Sequence, residues 1–180
     1  MVWEKITSSS MKILETSRLI LREFSPEDAD ALASVLSDRE TMRFYPAPFD
    51  RAAVEEWIAR NRSRYQKDGH GLWAMVLKAS GELIGDCGLT FQSVEDVEET
   101  EIGYHVRRDL WGQGLATEAA CACRDFGFAK LPIERLVSII RLENQPSRRV
   151  AEKTGMTLWK EVVKANLPHM VYAIQRQPPP

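Results

Sequence analysis

Apolar side chains alternate at Ile102, Tyr104 and Val106, and the period then changes: from Leu115 they recur at 115, 119, 122, 123 and 126. The first spacing suits one face of a half-buried strand, the second an amphipathic helix. A strand, a turn holding Gly112 and Gly114, and a helix are therefore predicted in succession. The first helical turn is expected at Gly112 to Ala116. There the free backbone N–H groups point outward, and the small side chains let an anion come close.

The same reading runs along the rest of the chain. Glu15 to Arg22 is expected as a first strand. Ser25-Pro26-Glu27-Asp28 opens a helix with a hydroxyl cap, a proline at the first position and acids in the first turn. That helix should end near Leu36 and bury Ala29, Leu32, Ala33 and Leu36. Thr41 to Phe49 carries two prolines with Phe44, Tyr45 and Phe49, an ordered loop that either packs over the core edge or walls a substrate. Asp50 can cap a second helix reaching about Gln66, with Val54, Trp57, Ile58 and Tyr65 inward. Leu72 to Leu77 and Leu83 to Phe91 form a hairpin. Glu95 to Glu99 is expected as a solvated acidic connection, or as an attractor of a cationic acceptor. Ile133 to Leu142 is a strand, Glu143 to Ser147 starts a short helix that stops near Gly155, and Thr157–Val163 with His169–Ile174 closes the chain as an antiparallel pair. The fold class expected is α/β (α+β). It is a single domain over residues 13–176, with a mixed, mostly antiparallel sheet of about seven strands and about four helices. Residues 1–12 are a lead-in and 177–180 a tail.

Composition narrows the function classes. A chain of 180 residues holds one domain with a substantial core. Hydrophobic and charged contents of 44% and 28% are those of a soluble globular protein. A net charge of −2 provides no basic field to recruit nucleic acid or a membrane surface. No apolar run approaches the ~20 residues needed to span a bilayer, and the N-terminus has no signal-peptide core, so a cytoplasmic location is expected. The three cysteines suggest small buried hydrophobes rather than a disulfide framework. No His, Cys, Asp or Glu set has metal-ligand spacing, so no metal is expected.

Specific chemistry enters through resemblance. Trp111-Gly112-Gln113-Gly114-Leu115-Ala116 resembles the pyrophosphate loop of the GNAT superfamily of acyl-CoA N-acyltransferases. Gly114 and Ala116 match its last two fixed positions, while Trp111 stands where Arg or Gln is usual. The longer run through Thr117-Glu118-Ala119, and Glu15-Thr16-Ser17-Arg18-Leu19-Ile20-Leu21-Arg22, are similar to the RimJ/RimL-like branch of ribosomal-protein acetyltransferases. Asn144-Gln145-Pro146-Ser147, followed by Glu152-Lys153-Thr154-Gly155-Met156, resembles a second signature of that branch.

The resemblance implies acetyl-CoA as cosubstrate and transfer of its acetyl group to a primary amine by direct attack. Trp111, Gly112, Gln113, Gly114, Leu115, Ala116 and Thr117 would hold the pyrophosphate. The pantetheine arm would run along the central strand, with a backbone N–H near Val106 polarising the thioester. Asn144 would bond the pantetheine amides or the acceptor, and Ser147 would donate to the sulfur as it leaves. Glu101 is implied as the base, directly or through water, with Glu99 in its place if the register slips. Each has a plain alternative: a strand-edge glutamate for Glu101, helix capping for Asn144 and Ser147. His105 shares the alternating face of Glu101 and reads as packed or solvated. The acceptor is a protein N-terminus or a small amine, and relatives are often homodimers. A non-catalytic acyl-CoA-binding sensor or scaffold is the rival function.

Overall fold

The computed structural model of the protein describes residues 11–177. Residues 1–10 of the expected lead-in and 178–180 of the expected tail lie outside the described residues. Eight strands make one sheet: β1 (Lys12–Glu15), β2 (Leu19–Arg22), β3 (Leu72–Leu77), β4 (Leu83–Val94), β5 (Val97–Val106), β6 (Arg135–Arg141), β7 (Thr157–Lys164) and β8 (Leu167–Gln175). They lie in the order β1-β2-β3-β4-β5-β6-β8-β7. Every neighbouring pair is antiparallel except β5 with β6. Four α-helices accompany them: α1 (Ala29–Leu36), α2 (Arg51–Asp68), α3 (Leu115–Lys130) and α4 (Gln145–Lys153).

The mixed, mostly antiparallel sheet and the four helices are as expected. The strand count rises to eight because the segment read as one strand from Glu15 is two short strands joined at Thr16–Arg18. Lys12, assigned to the lead-in, already belongs to β1. The acidic run is likewise corrected. Glu95 and Asp96 make a two-residue hairpin turn at φ of 50° and 65°, and Val97 to Glu99 extend β5. Asp tolerates that left-handed region, and such turns match the twist of paired strands. Residues 95–98 stay exposed, as expected of a solvated run, with Glu95 paired to Lys160 at 2.6 Å; Glu99 alone is buried, paired with Arg135.

Two apolar layers sandwich the sheet. Phe24, Leu32, Leu36, Val54 and Ile58 bring α1 and α2 onto Ala74 and Leu83 of one face. Leu115, Ala119 and Cys123 bring α3 onto Leu21, Met75, Ile102 and Val106 of the other. In α1 Val35 is buried where Ala33 was expected. Asp50 caps α2 by accepting from the Ala53 N–H at 2.8 Å, as its position predicted. Among the described residues no helix is long and apolar enough to cross a membrane.

Candidate active site

Pairing between β5 and β6 stops early. The parallel register runs Thr100↔Leu136 and Glu101↔Val137 and then ends, although β5 continues to Val106 and β6 to Arg141. The strands separate from that point. The Arg107 N–H donates to Ile84 O across the β4 side, so by alternation the backbone groups of Tyr104 and Val106 face the separating β6. At the closed end of the split, Ser138 Oγ donates to Ile102 O at 2.9 Å, and the Ile139 N–H donates to Glu101 Oε1 at 3.1 Å. Glu101 is thus held at the vertex of the opening.

The loop after β5 ends at the start of α3. Gly112 and Gly114 sit at φ of 76° and 78°, a left-handed conformation that L side chains adopt at a cost. These turns delay the helix, which begins at Leu115 rather than Gly112, with Gly114 at its N-cap. No side chain caps this end, and the first helical bond is Glu118 N–H to Gly114 O at 3.0 Å. The N–H groups of Leu115, Ala116 and Thr117 are therefore presented together, a site for an anion. Trp111, which departs from the resembling loop, has a different use. Its Nε1–H donates to Val106 O at 2.7 Å and ties the loop to the end of β5.

A polar network lines the α1/α2 face beside Glu101. Asp86 on β4 is fully buried; its Oδ1 meets His105 Nδ1 at 2.7 Å, and its Oδ2 accepts from Trp57 Nε1 at 2.9 Å. The carboxylate assigns a proton to His105 Nδ1, so in the neutral imidazole Nε2 accepts from the Tyr45 hydroxyl, 2.7 Å away. Phe49 packs edge-on against Trp57 at 5.5 Å, and Tyr45 lies 6.4 Å from Phe49. So Tyr45, Phe49 and Trp57 wall the space over His105, whereas Tyr65 is buried and bonded to Leu72 O. Burial alone would lower the His105 pKa, but Asp86, through its charge and hydrogen bond, and Glu101 outweigh it and raise the imidazole above its ordinary value. Burial raises the Glu101 carboxyl above the usual carboxylate range, against the Ile139 N–H, Lys164, His105 and Arg64.

The remaining expected residues divide. Asn144 is the N-cap of α4: its Oδ1 accepts from the Ser147 N–H at 3.2 Å. The Tyr104 hydroxyl donates to Ser147 O at 2.8 Å, linking α4 to β5 across the split. Glu99 is committed to Arg135 and is only 6% exposed, so Glu101 is the glutamate beside His105. Sequence reasoning passed over Asp86, although a carboxylate inside the apolar run Leu83–Leu89 was itself a signal. It also passed over Glu118, which accepts from Thr16, Ser17 and Arg18 and locks the β1–β2 turn to α3.

Comparisons with known proteins agree with this architecture. The model of the acetyltransferase (GNAT) domain family matches residues 18–157. The protein YkkB of Bacillus subtilis (strain 168) is 37% identical over 160 residues, 88% of this chain and 93% of its own. An acetyltransferase of Agrobacterium tumefaciens str. C58 superposes with a TM-score of 0.80 at 28% identity, over 93% of this chain and 96% of its own. RimL, the ribosomal L7/L12 alpha-N-protein acetyltransferase, shares the fold at a TM-score of 0.77 and 21% identity, over 93% and 95% of the two chains. With an open helix end at the mouth of a split parallel strand pair and a family match over most of its length, the chain belongs to the GNAT family of acetyltransferases.

Proposed function

We propose that the protein moves an acetyl group from acetyl-CoA to a primary amine by direct attack, with a protein N-terminus or a small amine as acceptor. The observation that carries this reading is the β5–β6 split, with Glu101 at its vertex and the uncapped α3 N-terminus at its mouth. An extended pantetheine fits beside backbone groups that have lost their strand partner. The N–H groups of Leu115, Ala116 and Thr117 suit a pyrophosphate and need no basic side chain. The Val106 N–H faces the split and suits a developing oxyanion. Glu101, less acidic than an ordinary carboxylate, is placed to take a proton from the acceptor nitrogen. Ser147 lies at the start of α4, where its hydroxyl can donate to sulfur. Likeness to RimL in fold supports a protein N-terminus among the candidates.

The test is acetyl transfer followed by mass spectrometry. Acetyl-CoA is offered with polyamines, amino acids, aminoglycosides and peptides beginning with Ala or Ser. A gain of one acetyl on one acceptor, weakened by Glu101→Gln, is the expected result. Failure of acetyl-CoA to bind would overturn the assignment of the α3 N-terminus. Tight binding with no transfer to any amine would favour a sensor of acyl-CoA instead.

A further inference from the structure

An ammonium acceptor loses two protons from one nitrogen for each amide formed. The overall change turns an ammonium and a thioester into an amide, a thiol and one free proton. Glu101 provides for one of the two transfers. We infer that Tyr45, His105 and Asp86 form a second proton path, in which the Tyr45 hydroxyl faces the acceptor nitrogen and hands its own proton to His105. This inference rests on the acetyl-transfer reading above.

The geometry is continuous. Tyr45 Oη lies 2.7 Å from His105 Nε2, and His105 Nδ1 lies 2.7 Å from Asp86 Oδ1. Asp86 has no exposure, and its other oxygen is taken by Trp57 Nε1, so the imidazole is held in one orientation and one tautomer. The outermost residue of the path reaches the surface: Tyr45 is 41% exposed. His105 and Glu101 are four residues apart on β5 and share a face, so their side chains flank the same space. The groups facing His105 are Asp86 from β4, Tyr45 and Trp57 from the α1/α2 side, and Glu101 on its own strand; Arg64 and Lys164 act on Glu101.

The step balances without any redox partner. An N–H bond of the ammonium breaks as Tyr45 Oη takes the proton, and the Oη–H bond breaks as His105 Nε2 takes that one. Asp86, the positioning residue, stabilises the imidazolium. The free amine then attacks, the C–N bond forms, and the second nitrogen proton passes to Glu101; the C–S bond breaks as sulfur takes up that proton, leaving Glu101 ionised, and the imidazolium of His105 releases the other proton to solvent. The assignment of the two stations follows their basicity. A resting alkylammonium, with a pKa of about 10, is a weak acid and needs the stronger base. The nitrogen of the tetrahedral adduct is more acidic, and a carboxylate suffices.

The deciding experiment is the pH dependence of kcat/KM with the amine found by mass spectrometry, for wild type, Tyr45→Phe, His105→Gln and Glu101→Gln, with CoA affinity measured alongside. Tyr45→Phe and His105→Gln are expected to lose ~10²-fold near pH 7 and to recover toward wild type as pH nears the pKa of the amine. There the acceptor arrives already deprotonated. Glu101→Gln is expected to stay slow at every pH, and CoA affinity to stay within about twofold. A wild-type pH profile in both Tyr45→Phe and His105→Gln, or a loss of the same factor at all pH, would overturn the path while leaving acetyl transfer in place. Absence of transfer by the wild type to every amine overturns the acetyl-transfer reading itself, and is seen before any variant is made.

Discussion

Arg18 and Glu118, 100 residues apart in the chain, meet at 2.6 Å and join the β1–β2 turn to the first turn of α3. The same arginine donates through Nη1 to Gln113 O at 2.9 Å, so it also steadies the loop that precedes the helix. Two stretches that resemble the RimJ/RimL-like branch, one at 15–22 and one at 111–119, are thus two halves of one contact.

Glu118→Ala should therefore loosen the proposed pyrophosphate site as well as the fold. Its carboxylate accepts from Thr16 Oγ1, Ser17 Oγ, Arg18 N and Arg18 Nε. With Arg18 partly in solvent, the loss is expected at about 1–3 kcal/mol, a fall in Tm of several degrees. Burial alone would raise the Glu118 pKa, yet those donors lower it from 4.5 to about 2. A depressed carboxyl pKa adds stability that is full above the unfolded value and is lost as pH falls toward the folded one. Thermal unfolding should show the gap between wild type and variant closing between about pH 4.5 and about pH 2. An unchanged gap would remove Glu118 from this role. Weaker CoA binding by calorimetry is the expected companion effect.

Glu101→Gln should trade activity against stability. The folded-state pKa of Glu101 is raised, chiefly by burial. The sign is opposite to that of Glu118: its contribution is most favourable below 4.5 and is lost as pH rises through the folded value. At pH 7 the charged carboxylate is a burden that glutamine lacks, and glutamine can still accept from the Ile139 N–H. The variant should melt higher than wild type near neutral pH, with the advantage fading in acid. Its kcat should fall by ~10²-fold or more. A lower Tm at pH 7 would contradict the burial argument.

Asn144 and Ser147 should separate in their effects. Asn144→Ala removes the N-cap of α4, and about 1 kcal/mol of stability is expected to go with it. Ser147 engages the fold through its backbone, as donor to Asn144 and acceptor from Tyr104. Ser147→Ala should leave Tm within about a degree or two and lower kcat by roughly tenfold. A Ser147→Ala enzyme with wild-type kcat would leave the serine with no part in the reaction.

The cysteines should differ in reactivity. Cys87 and Cys123 are fully buried with sulfurs 3.6 Å apart, and burial pushes the Cys87 thiol well above its ordinary value. Cys121 is partly exposed. A maleimide should label Cys121 in the native protein and reach all three only after unfolding. Fast native labelling of Cys87 would show that the β4–α3 packing opens readily.

Much of the fold was legible in the chain. The change of period between Val106 and Leu115 located β5 and α3, because one-sided burial writes its repeat directly into local sequence. The glycine turn lay between those two periods, whereas Glu101 and Asn144 were singled out only by resemblance to a family. The start of α3 was misplaced because only φ at Gly112 and Gly114 shows where the helix can begin. The acidic run 95–99 is solvated at 95–98 as read, but composition does not reveal that it turns into a strand or that Glu99 would be buried against Arg135.

By itself, the sequence determined the order and kind of most elements, the apolar faces and the glycine turn before α3. Those properties depend on neighbours three or four residues away. Only the tertiary structure decided the β5–β6 split, the partnership of Glu118 with Thr16–Arg18, and the chain Trp57, Asp86, His105 and Tyr45. The last four residues come from α2, β4, β5 and the 41–49 loop. Strand register and helix placement bring them within hydrogen-bond distance, and a buried carboxylate is stable only where donors from elsewhere in the fold meet it.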